Sequence, residues 1–314
     1  MRVALLFTDG VGVGRRDPAF NPLAREAYLL SQFDDGTGTT LPAGGRFSTV
    51  DATFGVLGRP QSATNQTAML TGEPAPVLLG KHLLGFPNAF LRELLSRRSI
   101  VKRLVDAGRR AELCNGYPAG FLDVVGLAHH SSPGPDVVIP ERAVRKLRPS
   151  ATACAFSAGP VLLRTFEDVR AGRALTHDIQ GLRARARGFD VPERSFDAAA
   201  AVFWNAAERA DFTFFEHSLA DEAGHAQDDV AAAAALGGFD GFARAVIAAR
   251  PADAVVVICS DHGNVEDLSI RNHTLARIPI LRFGPDEALE SPLGNLAHLG
   301  QAVLHWTGVE RPSA

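Results

Sequence analysis

Apolar residues in this chain fall into short continuous runs separated by amphipathic stretches. "RVALLF" (2–7), "FTFFEH" (212–217), "AVVVICS" (254–260) and "IPILRFG" (278–284) lack regular polar alternation, which predicts strands buried on both faces. "TVDATFG" (49–55) and "AELCNG" (111–116) predict two more strands. "NQTAMLTG" (65–72) reads as a helix stopped by Gly72. In "AFLRELLSRRSIVKRLVDAG" (89–108) the spacing of three and four breaks near Ser99, predicting two successive helices. Further helices fit 195–210, 228–250 and 295–306. Between 120 and 195 the periodicity weakens, and "HHSSPGPDVVIPERAVRKLRPS" (129–150) carries loop signals. The alternation predicts an α/β three-layer sandwich around a mainly parallel sheet. Its core would be 1–119 and 196–314, with 120–195 as a small cap or insertion.

Composition narrows the class without naming it. The chain has 314 residues, 46% hydrophobic and 21% charged, enough to bury one large core. A formal net charge of −3 offers no electrostatic case for nucleic acid or an anionic membrane. Cys114, Cys154 and Cys259 are far apart and odd in number, so they read as buried small residues in a reducing compartment. No run of 18 apolar residues is present, and "MRVALLFTDG" leads directly into a strand. The expectation is a soluble cytoplasmic protein.

Four polar clusters fall at or near strand ends, where open parallel sheets gather functional groups. They are Asp9 after the first strand, Asp221 and His225 in "DEAGH", Asp261 and His262 in "SDHG", and His273 in "RNHT". Carboxylate and imidazole together suit Zn or Mn, and an oxygen-rich site also admits Mg. One helical turn would bring Asp221 and His225 onto one face. Adjacent Asp261 and His262 could serve two ions side by side. Singly, each cluster also reads as a turn residue, a cap or a structural histidine; the four together point to metal. "GRPQSATNQTAML" (58–70) adds hydroxyls, Ser62 and Thr64, at the entry to a helix, where either a nucleophile or an ordinary N-cap fits.

These motifs, "DG" at 9–10, "SATNQT" at 62–67, "DEAGH" at 221–225, "DHGNVED" at 261–267 and "NHT" at 272–274, resemble the alkaline phosphatase superfamily in composition and order. The likeness is to the metalloenzyme branch that contains cofactor-independent phosphoglycerate mutase and phosphopentomutase. The resemblance implies an alkaline-phosphatase-like fold and two divalent ions (Mn, Zn or Mg). One would be held by Asp221, His225 and His273, the other by Asp9, Asp261, His262 and the hydroxyl of Ser62. It implies Ser62 as nucleophile with Thr64 as the alternative. Asn65-Gln66 stands where the mutases carry Gly-His, and Asn65 is expected to donate its amide to a phosphoryl oxygen.

The implied chemistry is phosphoryl transfer from a small phosphate ester through phospho-Ser62. Water as acceptor gives a phosphatase, while a retained acceptor gives a phosphomutase. The mutases enclose the intermediate with a substantial extra domain, so the small 120–195 region favours hydrolysis; phosphodiesterase action stays open. Arg164 and Lys81 are the candidate substrate-binding cations, with Arg170, Arg173 and His82 weaker. A sulfatase is disfavoured because "SATNQ" lacks the C/S-x-P-x-R context. "TDGVGVG" is not a dinucleotide fingerprint, because prolines follow where a helix must open.

Overall fold

The structure, a computed structural model, describes residues 1–130, 144–290 and 292–309. Its strands in chain order are β1 (Arg2–Thr8), β2 (Arg46–Val50), β3 (Ala111–Leu113), β4 (Gly116–Tyr117), β5 (Arg164–Thr165), β6 (Phe212–His217), β7 (Ala254–Cys259) and β8 (Ile278–Phe283). Six form one sheet in the order β2-β8-β7-β1-β6-β3, and β4 and β5 form a separate parallel pair. β7, β1, β6 and β3 run parallel, whereas β8 is antiparallel to both β7 and β2.

Side-chain alternation along the central strands builds the layers. Val3, Leu5 and Phe7 of β1 enter one apolar cluster, and Ala4 and Leu6 enter the other. The first cluster is completed by helices Ser62–Thr71, Ile100–Asp106 and Leu296–Trp306. The second is completed by helices Phe196–Ala207 and Asp229–Ala248. This is an α/β three-layer sandwich around a mostly parallel sheet. Helix Asp229–Ala248 is long and apolar enough to cross a membrane, yet its Leu236, Phe239, Phe242 and Val246 are buried in the second cluster.

Several local expectations need correction. The strand read over 49–55 is displaced to β2, because Asp51 ends it: its Oδ1 accepts from Thr53 N at 2.9 Å and its Oδ2 from Thr53 Oγ1 at 2.8 Å. Residues 131–143, within the stretch read as loop at 129–150, lie outside the described residues. Within 120–195, helix Ala151–Ala158 is not cap. Its Ala151, Ala153, Ala155 and Phe156 join the first core cluster. A small separate cluster of Phe166, Val169, Ala174, Ala184 and Val191 belongs to the remainder.

Reversal of β8 keeps two long connections on one edge of the sheet. The chain leaves the carboxyl end of β7 at Ser260 and enters β8 at the same edge, so the connection carrying Asp261, His262 and His273 never crosses the sheet. β2 likewise ends at that edge and delivers the chain to helix Ser62–Thr71.

Candidate active site

The motif residues separated by up to 264 positions converge beyond the carboxyl ends of β1, β6 and β7. Asp9 follows β1 directly, and its N–H is held by His217 O at 2.8 Å. Gly10 then turns with φ +76°, and a Cβ there would lie 2.6 Å from Asp221 Cβ. The glycine is therefore required by both the turn and the close approach. Helix Leu219–Ala226 puts Asp221 and His225 on one face, with Oδ2 and Nε2 3.3 Å apart. His273 Nε2 lies 3.1 Å from His225 Nε2 and 3.6 Å from Asp221 Oδ1. His262 Nε2 lies 3.2 Å from Asp9 Oδ1, 3.6 Å from Asp261 Oδ2 and 2.9 Å from Ser62 Oγ. The His262 and His273 rings stack with centroids 3.6 Å apart.

The histidine tautomers decide what this cluster can bind. His225 Nδ1 faces Arg271 O at 2.8 Å, and His273 Nδ1 faces Pro60 O at 2.8 Å. A carbonyl only accepts, so each Nδ1 carries a proton and, in the neutral ring, each Nε2 presents its lone pair, although Asp221 favours the charged form of His225 when no cation is bound. With both rings neutral, two acceptors face each other 3.1 Å apart beside the Asp221 carboxylate. Asp9 Oδ1 is buried, with the His262 ring nitrogen 3.2 Å away as its partner. Such a set is satisfied by cations, and carboxylate with imidazole is a donor set for divalent metal.

Electrostatics express the same demand. Burial, then the Asp261 carboxylate, pushes the Asp9 carboxyl well above its ordinary range. Burial opposes charge on His262, yet Asp261 and Asp9 raise its imidazolium to about 10. Burial and the neighbouring His262 hold His273 down to about 4, keeping its ring neutral. In the absence of a cation, a proton is retained between Asp9 and His262.

Ser62 opens its helix at the first helical position, and the preceding Gln61 contributes no side-chain cap. The helix N–H groups and dipole are thus open toward the reacting centre. Thr64, the alternative nucleophile, is buried and its hydroxyl donates to Gln61 O at 3.0 Å, which removes it from that role. Asn65 needs correction too. Its Nδ2 donates to Ala52 O and Asp261 O, both at 2.8 Å, and the residue is fully buried. Both amide hydrogens are committed to backbone, so none is left for a phosphoryl oxygen.

Gln66, one turn after Ser62, is the amide of this pair that faces the cluster carboxylates. Its Nε2 reaches Asp261 Oδ2 at 3.0 Å and Asp9 Oδ2 at 3.2 Å. Spacing i, i+4 from Ser62 was the signal that could have found it. Glu266 and Asn264 also went unassigned, although both lie inside "DHGNVED". Glu266 accepts from Gly12 N at 2.9 Å and Asn264 N at 2.7 Å, and also from Thr274 Oγ1. Asn264 Nδ2 donates to Asp221 Oδ1 at 2.6 Å, orienting that carboxylate.

The proposed substrate cations lie elsewhere. Arg164 donates to Glu112 Oε1 at 2.6 Å and Asp168 Oδ1 at 3.3 Å, and Arg173 donates to Asp168 at 2.8 Å. Arg170 reaches Asp190 O at 3.1 Å. These guanidiniums tie down the small separate unit. Lys81 is exposed, and neither it nor His82 lines the cleft that opens at Ser62.

The sequence model of the metalloenzyme superfamily matches residues 188–311. A phosphopentomutase of Methylobacterium sp. (strain 4-46) is 27% identical over 235 residues, covering 71% of this chain and 52% of its own. The phosphopentomutase of Methylobacterium radiotolerans is 34% identical over 102 residues, 29% of this chain and 24% of its own. The first match thus spans about half of that relative's length. Among solved structures, the alkaline phosphatase of the Antarctic bacterium TAB5 aligns with a TM-score of 0.55 at 14% identity, over 99% of both chains. That of Thermus thermophilus aligns at 0.54 and 13% identity, over 99% of this chain and 92% of its own. At such identities the likeness is one of fold alone. In sequence the chain is similar to the metalloenzyme superfamily over residues 188–311 and to phosphopentomutases over the stretches given above.

Proposed function

We propose that the protein transfers phosphoryl groups from small phosphate monoesters through a covalent phospho-Ser62, with water as the usual acceptor. The observation that carries this reading is Ser62 Oγ, 2.9 Å from His262 Nε2, at an open helix N-terminus over a cluster of acceptors. Asp221, His225 and His273 would hold one divalent ion (Mn, Zn or Mg), and Asp9, Asp261, His262 and Ser62 the other. When bound, such ions lower the pKa of a hydroxyl and neutralise phosphoryl oxygens.

Ser62 loses its hydroxyl proton to solvent and Oγ forms a bond to phosphorus. The bond from phosphorus to the leaving oxygen breaks, and that oxygen takes a proton from water. A water molecule then attacks phosphorus and gives up a proton, the Oγ–P bond breaks, Ser62 Oγ takes a proton back, and inorganic phosphate leaves. Gln66 holds the Asp9 and Asp261 carboxylates in register, and Asn65 anchors the Asp261 backbone to the same helix.

The test is phosphate release by purified protein from p-nitrophenyl phosphate and its bis-ester, with Mn²⁺, Zn²⁺, Mg²⁺ or EDTA. Release is expected with metal, to be lost with EDTA and in Ser62→Ala and Asp261→Asn, with both variants still folded by circular dichroism. Wild-type rates in Ser62→Ala would remove the phospho-serine. Preference for the bis-ester would replace the monoesterase by a diesterase. The phosphopentomutase match favours one second reading, transfer within a pentose phosphate. Interconversion of pentose 1- and 5-phosphates faster than phosphate release would establish it.

A further inference from the structure

The cleft at Ser62 extends well past the reacting centre, with a volume of about 390 Å³. Beyond Gln66 its walls change character. Phe86, Tyr117 and Phe121 line it from three separate segments: the turn after Gly85, strand β4, and helix Ala119–Val125. Tyr117 and Phe121 lie nearly parallel, with ring centroids 6.0 Å apart and planes 19° apart. His177 meets Tyr117 edge-on at 5.0 Å. Phe86 is 50% exposed and stacks on no ring among the described residues. An exposed aromatic in a concavity beside a reactive hydroxyl is the kind of surface that a ligand covers.

We propose that this wall is the leaving-group subsite, and that the preferred substrates are phosphate monoesters whose alcohol carries a planar aromatic ring. The inference rests on the phosphoryl-transfer reading and specifies its substrate class. With phosphorus at Ser62, the rest of the ester occupies the cleft that Ser62, Asp9 and Gln66 share with Phe86, Tyr117 and Phe121. The cleft also carries Ser150, Glu216 and Ser218, but polyol hydroxyls set against the Phe86 and Phe121 faces would lose water without finding partners there. A flat ring covers those faces and gains offset or edge contacts with them. Lys146 and Arg148 stand at the same cleft and favour entry of a dianionic ester. His177 belongs to the wall as a neutral ring, since burial depresses its pKa to about 4.

The experiment compares 2-phenylethyl phosphate with ribose 5-phosphate, two primary alkyl esters of similar leaving-group basicity, on the metal-loaded protein. The phenyl ester is expected to show kcat/KM higher by about tenfold or more, as burial of one aromatic ring allows. Phe86→Ala and Phe121→Ala are expected to reduce that ratio by about threefold or more. Equal or reversed kcat/KM in the wild type would overturn the subsite and leave phosphoryl transfer standing. Failure to turn over either ester would instead count against phosphoryl transfer. Titration calorimetry then decides the subsite by itself: 2-phenylethyl phosphate binding about tenfold tighter than methyl phosphate supports it, and equal affinity overturns it.

Discussion

Asn65 and Gln66 are adjacent amides with different work, and a helix explains why. One residue along a helix turns the side chain by about 100°, so Gln66 shares the face of Ser62 while Asn65 points into the junction of β2 and the β7 connection. Replacing Asn65 by Leu leaves two buried carbonyls unpaired and is expected to cost about 1–3 kcal/mol in urea unfolding. Gln66→Ala is expected to lower kcat/KM while shifting the urea midpoint little, since its partners are the site carboxylates. The amide pair was legible as a departure from the mutase pattern, but which amide serves the site depended on helix phase. Arg164 shows the same limit: a guanidinium in a suggestive place turned out to belong to Glu112, 52 positions away. Glu216 carries a pH prediction. Burial pushes its carboxyl from about 4.5 to about 7 in the fold. Below pH 4.5 both states are protonated. Between 4.5 and 7 only the unfolded chain releases the proton, so stability falls as pH rises through this window and is level above it. Glu216→Gln is expected to remove that loss, about 3 kcal/mol, when unfolding of the two proteins is compared at pH 4.5 and pH 8.

The connection from β7 to β8 is the element on which the site depends most. Glu266 clamps it at Gly12, Asn264 and Thr274, and Arg59 Nη1 holds His273 O at 2.7 Å. Gly263 leaves no room beside this clamp: a Cβ there would meet Glu266 Oε1 at 2.1 Å and Thr274 Oγ1 at 2.2 Å. Gly263→Ala is therefore expected to displace His262 and His273 together. The readout is metal affinity by calorimetry, expected to fall by about tenfold or more, the range seen when groups that orient metal ligands are lost. Wild-type affinity in that variant would refute the clamp. The strands and most helices of the core were legible because their periodicity is local. The end of β2 was not, since Asp51 ends it by bonding to Thr53 rather than through any change in apolar pattern. Helix Ala151–Ala158 was also missed as core, because a short alanine-rich turn acquires its face only from the helices it meets.

For the whole molecule, the acceptor cluster makes the fold and the metal interdependent. The buried carboxylates and imidazoles hold protons where a cation would otherwise sit, and ligand binding to the folded form alone would add stability by mass action. EDTA is expected to lower Tm, and excess Mn²⁺ or Zn²⁺ to restore it, by an amount corresponding to about 4 kcal/mol at a thousandfold excess over Kd. An unchanged Tm by differential scanning calorimetry would show that the cluster binds no cation. The sequence by itself determined most of the buried strands and the layered α/β class, because strand burial is written in local apolar runs, and its motifs at strand ends named Asp9, Asp221, His225, Asp261, His262 and His273 as candidates. Only the tertiary structure decided which of Ser62 and Thr64 faces the cluster and which amide serves it. Only it showed that the cap-region arginines are already paired and that three aromatics line the cleft. Those outcomes rest on helix phase, on partners far away in the chain, and on the reversal of β8 that returns His273 to the edge where β1, β6 and β7 end.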